Sequence, residues 1–386
     1  MQSFDFEPAA LPPAIAEFRA DVRAFLRDQL PDLPAERRAN CWSVFDATFS
    51  RKLAARGWIG MTWPKRYGGG ERSALERYVL LEELLAAGAP VGAHWIADRQ
   101  SGPALLRFGT EAQRERYLPA IVRGDCFFCI GMSEPDAGSD LASVRTRGVK
   151  TADGWRIRGQ KVWTTHAHRA HAMIALVRTG DETRKRQEGL TQFLIELDSP
   201  GVTVRPIVDL AGEAHFNEVF LDDVVVSDAA VLGVEGQGWA QCTSELSLER
   251  SGPERYLSSH ALFVELLRDA CATPPARRPD VVQQAIGRLT AEIWTLRQMS
   301  LSVAGRLAAG RDPALEAAVV KDLGNTFEQD LPRRVQAIAD AGLALQDETP
   351  LARVLALLLQ TSPSFSLRGG TREILRGIIA RGMGLR

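Results

Sequence analysis

The spacing of apolar residues along this chain changes period twice. Residues 14–30, 45–56, 73–87 and 110–122 carry apolar side chains three and four apart, the mark of amphipathic helices. From about residue 126 to 238 the period falls toward two. Asp153-Gly154 there separates alternating runs at 144–151 and 155–162, a hairpin signal, and further strand-like runs follow at 172–177, 193–197, 202–207 and 218–226. After Gly236-Gln237-Gly238 helical spacing returns at 239–250, 258–272, 279–309, 313–342, 351–359 and 371–381, separated by short polar or Gly/Pro breaks. Helices, then strands, then helices do not suit a doubly wound sheet, in which the two alternate. The expected fold is α+β and multidomain, with an N-terminal helical domain over 1–125, a central antiparallel β domain over 126–238 and a C-terminal helical bundle over 239–386.

Composition narrows the function classes. The chain has 386 residues, 45% hydrophobic and 25% charged, with a formal net charge of −1. That profile is ordinary for a globular protein with a sizeable core. Near-neutrality without a dense basic run argues against a nucleic-acid partner. The first residues, MQSFDFEPAALPPAIAEF, have no basic region followed by a long apolar one, and no stretch approaches 18 consecutive apolar residues. Neither secretion nor membrane insertion is expected. Cys41, Cys126, Cys129, Cys242 and Cys271 are odd in number and scattered, which suits a reducing compartment, and a cytoplasmic protein is the expectation.

Chemistry concentrates between Cys126 and Asp140, CFFCIGMSEPDAGSD. An apolar, aromatic run reads as a buried strand and gives way to a sharp turn. Pro135 fixes φ, Gly138 permits a conformation other residues resist, and small polar residues leave N–H groups and hydroxyls outward. Such a loop can hold the polar edge of a flat ring or a phosphate. Three nearby patterns carry less. Cys126 and Cys129 have CxxC spacing with no second Cys or His pair at zinc distance, so two buried thiols are expected. His166, His168 and His171 sit where neighbours alternate sides, and no metal site is expected from them. Residues 233–238, GVEGQG, are not GxGxxG before a Rossmann helix and read as a linker.

Six stretches, in this order, resemble the acyl-CoA dehydrogenase family over essentially the whole chain: 57–70 (GWIGMTWPKRYGGG), 109–124 (GTEAQRERYLPAIVRG), 131–140 (GMSEPDAGSD), 161–165 (KVWTT), the β-domain exit at 216–221 and 231–238, and 369–374 (GGTREI). The resemblance implies a helical domain, a β domain and a four-helix bundle, with FAD as cofactor and an acyl-CoA thioester as substrate. It implies an oxidoreductase of lipid metabolism, in which a base takes the α-proton while hydride passes to flavin N5. Electrons would go on to electron-transfer flavoprotein or a similar acceptor. No side chain accepts a hydride, so a cofactor must. By the same resemblance Ile130, Met132, Ser133, Gly138 and Ser139 of the first flavin motif bind FAD, as do Trp163, Thr164 and Thr165 of the second and Thr371 and Glu373 of the C-terminal signature. Trp163 would cover one ring face and Thr165 would lie near N5. Ser139, Arg250 and Gly369 would contact substrate.

The family places its base in two ways. Many members carry Glu directly before the Gly-Thr of the C-terminal signature, where this chain has Gly369 preceded by Arg368. Others carry it in the first long bundle helix before an Arg, which Glu249-Arg250 matches. The resemblance therefore implies Glu249 as base. The family's Arg-x-x-Phe-Gly, which grips a neighbouring subunit's flavin pyrophosphate, is missing from 267–279 (LRDACATPPARRP), and the later Gly-Gly-x-Gly turn has become ADAGLA at 339–344. That pattern resembles paired-subunit members acting on steroid and other bulky CoA thioesters. It implies a tetramer, possibly α2β2 with a paralogous chain. A related oxidase, a dehydrogenase of carrier-protein-linked acyl groups, and a non-catalytic subunit that stabilises an active paralogue remain alternatives.

Overall fold

A computed structural model of the chain describes residues 4–39, 41–180, 185–248, 250, 252–274, 276, 278–339 and 348–385. In chain order its helices are α1 (Pro13–Gln29), α2 (Ala35–Ala39), α3 (Ala47–Ala55), α4 (Ala74–Ala86), α5 (Gly92–Ile96), α6 (Gly102–Phe108) and α7 (Glu111–Val122). Strands follow as β1 (Phe128–Gly131), β2 (Arg147–Thr151), β3 (Gly154–Lys161), β4 (Ala172–Arg178), β5 (Leu190–Glu196), β6 (Val202–Ile207), β7 (Phe216–Val226) and β8 (Val231–Leu232). The chain then returns to helix as α8 (Gly238–Leu248), α9 (His260–Ala272), α10 (Asp280–Ala308), α11 (Ala314–Ala339), α12 (Pro350–Thr361) and α13 (Arg372–Gly382). Helices, sheet and helices thus succeed one another as the change of period predicts.

These elements gather into two compact units, one of residues 1–44, 72–90 and 247–386 and one of 45–71 and 91–246. The first joins α1, α2 and α4 to the C-terminal helices. Arg19 donates to Glu82 at 2.9 Å and to Glu83 at 2.7 Å, and Arg23 grips Glu83 through Nε at 2.7 Å. Arg297 of α10 closes on Glu82 at 2.6 and 3.1 Å. Both carboxylates are buried, so paired charges tie α1, α4 and α10 together. A capping box starts α4: Ser73 Oγ accepts from Glu76 N, and Glu76 Oε2 accepts from Ser73 N.

The second unit is built on one eight-stranded sheet, ordered β6-β7-β3-β2-β4-β5-β8, with β1 also on β4. Most pairings are antiparallel, as expected, with two exceptions. β1 runs parallel to β4, and β2 meets β4 in parallel through the single pair Arg147/Arg178. The loop after β1 and the β2–β3 hairpin together serve as the crossover that a parallel pair requires. With partners on both edges and cover on both faces, β4 is buried from Ala172 to Val177, which accounts for its unbroken apolar run. The hairpin closes through Ala152 and Asp153. Gly154 opens β3 at φ 126°, where a Cβ would fall 2.2 Å from the Val226 carbonyl oxygen. Residues 91–109, left without an element by spacing, are helical: α5, a π-helical turn at Ala97–Ser101, then α6. Packing overrides the glycines here. The Trp63 ring lies against Gly102, and Asp98 accepts from Gly60 N at 2.7 Å. Helix α7 begins with a Thr110/Gln113 capping box, and Gln113 Nε2 donates to the Ala229 and Val231 carbonyls beside β8. Cys129 lies fully buried in the sheet core, and burial drives its thiol pKa upward.

One buried ion pair joins the loop after β1 to the end of β3. Lys161 Nζ donates to Glu134 Oε1 at 2.8 Å, to the Leu176 carbonyl at 2.6 Å and to the Met132 carbonyl at 3.3 Å. Glu134 also accepts from the amides of Arg145 at 2.6 Å and Thr146 at 2.9 Å. Burial alone would raise the Glu134 pKa, but the Lys161 charge and these donors hold it below the usual carboxylate range. Burial lowers the Lys161 pKa against the pull of Glu134. Because the folded pKa of Glu134 lies below its unfolded value near 4.5, its stabilisation is full above that pH and is lost as pH falls through the folded value. Glu134→Gln should therefore cost roughly 3–5 kcal/mol at pH 7 by stranding a buried ammonium. The gap to wild type in denaturant unfolding should narrow below about pH 4.5, and adding Lys161→Met should recover part of the loss. A gap that stays constant from pH 7 to pH 3 would contradict this assignment.

Candidate active site

The sheet brings two of the sequence motifs into one place. Past β1 the chain turns through Glu134–Ala137, each donating its amide to the other's carbonyl (3.0 and 3.1 Å), and then enters a short 3-10 turn at Leu141–Ser143. Ser133 accepts from the Val162 amide at 2.9 Å, so the loop carrying Met132 and Ser133 is registered against the segment carrying Trp163, Thr164 and Thr165. That segment is held on its other side by β7. Thr164 N donates to the Asn217 carbonyl at 3.0 Å, Asn217 Nδ2 returns a bond to the Thr164 carbonyl at 2.8 Å, and His166 N donates to the His215 carbonyl at 2.7 Å.

Held this way, Trp163 adopts φ 59° and His166 φ 55°, left-handed conformations that non-glycine residues resist by roughly 1–3 kcal/mol each. The consequence is an indole left 58% exposed, edge-on to Phe216 at 5.9 Å. Thr164 is fully buried, and its Oγ1 has no hydrogen-bond partner among the described residues. Met132, Ser133, Ile130 and Thr165 are half-buried around it, and Gly138 and Ser139 are exposed. One expectation fails: Gly138 does not hold a left-handed conformation, and a Cβ on it would meet nothing within 4 Å. Its smallness leaves open space above the loop and is not required by the loop's own turn. His168 has both ring nitrogens engaged, by Asn217 at 2.8 Å and Arg169 at 3.2 Å. His171 Nδ1 accepts from Phe127 N at 3.0 Å.

The other candidate residues lie in the unit of C-terminal helices. Helix α8 ends at Leu248, and Glu249 lies outside the described residues, as do 340–344 of the altered turn and Pro275 and Arg277 of the 267–279 segment. Arg250 is buried. Gly369 and Gly370 take φ 68° and 100°, and Thr371 leads into α13 as its N-cap. Glu373 is exposed, its pKa lowered by its own backbone amide and by Thr371.

Around these residues lies a charged cluster that sequence motifs missed. Lys321 and Glu328 of α11, Glu254, Arg255 and Arg250 are all buried. Arg368 stacks on Trp42 at 3.6 Å and on Phe365 at 4.3 Å. Burial, with Arg255 and Arg250 adding to it, pulls Lys321 down to about 6, and burial pushes Glu328 up to about 7. Glu328 accepts from Ser258 N at 2.6 Å, and Lys321 donates to the Gly370 carbonyl at 2.6 Å. A cue was present in the spacing. Lys321 and Glu328 fall seven apart among Ala317, Val320, Phe327 and Leu331, on the face that a surface helix would keep apolar.

Comparison with known proteins identifies the family. Models of the acyl-CoA dehydrogenase N-terminal, middle and C-terminal domains match residues 13–125, 129–224 and 236–384. Acyl-CoA dehydrogenase IpdE1 of Mycobacterium tuberculosis is 35% identical over 95% of this chain and 96% of its own length. Acyl-CoA dehydrogenase FadE34 of the same organism is 33% identical over 97% of this chain, which spans only 48% of that longer protein. Among solved structures, the Tcur3481-Tcur3483 steroid ACAD superposes with a TM-score of 0.87 at 28% identity, covering 98% of this chain and 99% of the matched one. The chain belongs to the acyl-CoA dehydrogenase family.

Proposed function

We propose that this chain is an FAD-dependent dehydrogenase of a bulky, steroid-type acyl-CoA, with Glu249 as the base that removes the α-proton. The observation that carries this reading is the registration of Ser133 against Val162, locked by Glu134 and Lys161, which sets a polar loop edge beside an exposed indole. The donor set fits an isoalloxazine. A flat ring would find an apolar face in Trp163 and polar edges in Met132, Ser133 and Thr165, with the unpartnered Thr164 hydroxyl behind them, and the open space over Gly138 would leave room for a group from outside the chain. When bound, FAD supplies the two-electron acceptor that no side chain can be. Ile130 and Ser139 would complete its cradle from this loop, and the family resemblance also assigns Thr371 and Glu373, at the start of α13, to the cofactor.

The protein's own groups have separate tasks. Glu249 would hold the proton lost from the α-carbon. Gly369 and Arg250 would orient the thioester, Arg250 as a buried cation next in sequence to the base. Ser139 would steady the pantetheine arm. Donors aimed at developing negative charge in a dry site strengthen as that charge appears. Electrons would leave to electron-transfer flavoprotein or a similar acceptor. A cytoplasmic setting suits five cysteines that form no disulfide. Steroid-type substrates are favoured because the steroid ACAD named above shares the fold over nearly the whole chain.

Two results test this reading. Glu249→Gln should keep the flavin and lower the rate at which acyl-CoA bleaches it by at least about a hundredfold, the usual consequence of removing a general base. Bleaching at the wild-type rate would move the base elsewhere. The second test concerns assembly. Helices α11 and α13 pack on each other and leave Leu323 and Ile374 exposed at 46% and 39%, and the Tcur3481-Tcur3483 structure is named for two chains. A tetramer, α2β2 with a paralogue, would cover such faces and supply the pyrophosphate-gripping Arg that residues 267–279 lack. The chain expressed alone should then purify flavin-poor, and its mixture with that paralogue should be yellow. A stable homotetramer with one tightly held FAD per chain would overturn the mixed assembly.

A further inference from the structure

Two adjacent residues of α11 both end on the segment before and within α13. Lys321 is fully buried, and its Nζ donates to the Gly370 carbonyl at 2.6 Å. Asp322 accepts from Arg372 Nε at 3.1 Å and from Arg376 Nε at 3.4 Å. One turn of α11 therefore grips the chain on both sides of Thr371. What it grips needs holding: Gly369 and Gly370 both have positive φ, and two glycines in succession have many alternative conformations when released.

The same helix also fixes the segment that follows α8. A Cβ on Gly324 would fall 2.1 Å from the Arg255 carbonyl oxygen, so α11 touches that backbone directly. Glu328 Oε1 accepts from Ser258 N at 2.6 Å, and Ser259 Oγ donates to the Glu328 carbonyl at 3.0 Å. Between residues 321 and 328, then, a single rigid helix sets the spacing between the 250–259 segment and the Gly369-Gly370-Thr371 turn. Lys321 stands at the turn end of this span, with Arg255, Arg250, Glu328 and Arg368 as its charged neighbours.

We propose that Lys321 is a positioning residue for dehydrogenation: its bond to the Gly370 carbonyl fixes the Gly369-Gly370-Thr371 turn against the segment after α8, and so fixes the groups that the turn offers to the acyl thioester. The proposal rests on the function argued above. Without a donor at 321, the Gly370 carbonyl is left unsatisfied in a place that α11 and Lys321 now fill, and the turn drifts. A displacement of about 1 Å in a positioning group is costly to the reacting geometry while leaving most of the binding surface intact. The loss should therefore fall on turnover more than on affinity.

The test uses the flavin-loaded assembly with Lys321→Met and Lys321→Arg. Two quantities are read: amide hydrogen exchange over residues 368–376, and flavin reduction per bound flavin as a function of acyl-CoA concentration. Lys321→Met should speed exchange over 368–376 by at least about tenfold while α10 keeps its protection. It should also slow reduction at saturation by at least about tenfold, with the half-saturating concentration changed less than about threefold. Lys321→Arg keeps a donor but puts a larger, always-charged group beside Arg250, Arg255 and Arg368, so exchange over 368–376 should be slower than in Lys321→Met without returning to wild type. If Lys321→Met does not fold, Asp322→Ala removes the acceptors for Arg372 and Arg376, the other half of the grip, and should move both readings in the same direction. Unchanged exchange over 368–376 overturns the proposal, and so does faster exchange with unchanged reduction per flavin. A wild-type protein that no acyl-CoA reduces would sink the proposed function instead, and the exchange arm would still decide whether Lys321 holds the turn.

Discussion

The site depends first on the ion pair between Lys161 and Glu134. The Lys161 ammonium is fully enclosed and makes three bonds, one to the Met132 carbonyl at the start of the loop after β1, one to the Leu176 carbonyl of β4 and one to the Glu134 carboxylate. A buried pair of this kind contributes little to stability compared with well-packed apolar residues, since desolvation offsets most of the attraction. Its contribution is geometric. Each partner is satisfied in only one arrangement, so the loop and the end of β3 keep one register, which the Ser133–Val162 backbone bond extends toward Trp163. Backbone strain at Trp163 and His166 persists because Ser133, Asn217 and His215 hold the intervening amides.

The helical unit answers the same problem with a different device. There, buried charges line α11, and the partners are backbone atoms as often as side chains: Gly370 for Lys321, Ser258 for Glu328. Lys321 and Glu328 share that neighbourhood with Arg250, Arg255, Arg368 and Glu254, and burial there shifts Lys321 toward 6 and Glu328 toward 7.

Much of the fold was legible in the order of residues, for local reasons. Ser73 with Glu76 and Thr110 with Gln113 announce helix starts because a cap needs only residues three apart. Asp153-Gly154 marks the hairpin because the residue just after its two-residue turn takes φ 126° against the β7 backbone, which only glycine adopts readily. The missed features depend on partners far away in sequence. Residues 91–109 are helical because Trp63 and Gly60 pack on them, and a glycine-containing stretch does not reveal that by spacing. The parallel pairing of β1 with β4 depends on what lies between them and not on either strand. The joining of α4 to α10 through Glu82 and Arg297 spans 215 positions. For the site, the motif residues Ser133 and Trp163 were readable as letters, but nothing local showed that Glu134 and Lys161, 27 positions apart, would bind them together. Lys321 escaped because a lysine in a helical run reads first as a solvated side chain.

The most direct test of the account is to mix the flavin-loaded protein anaerobically with a saturated, steroid-type acyl-CoA, recording the flavin spectrum and the mass of the thioester together. The account predicts loss of the oxidised flavin absorbance, matched one for one by a thioester lighter by two hydrogens and unsaturated between Cα and Cβ. A flavin that keeps its oxidised spectrum, with an unchanged thioester across bulky, branched and straight acyl chains, would contradict it.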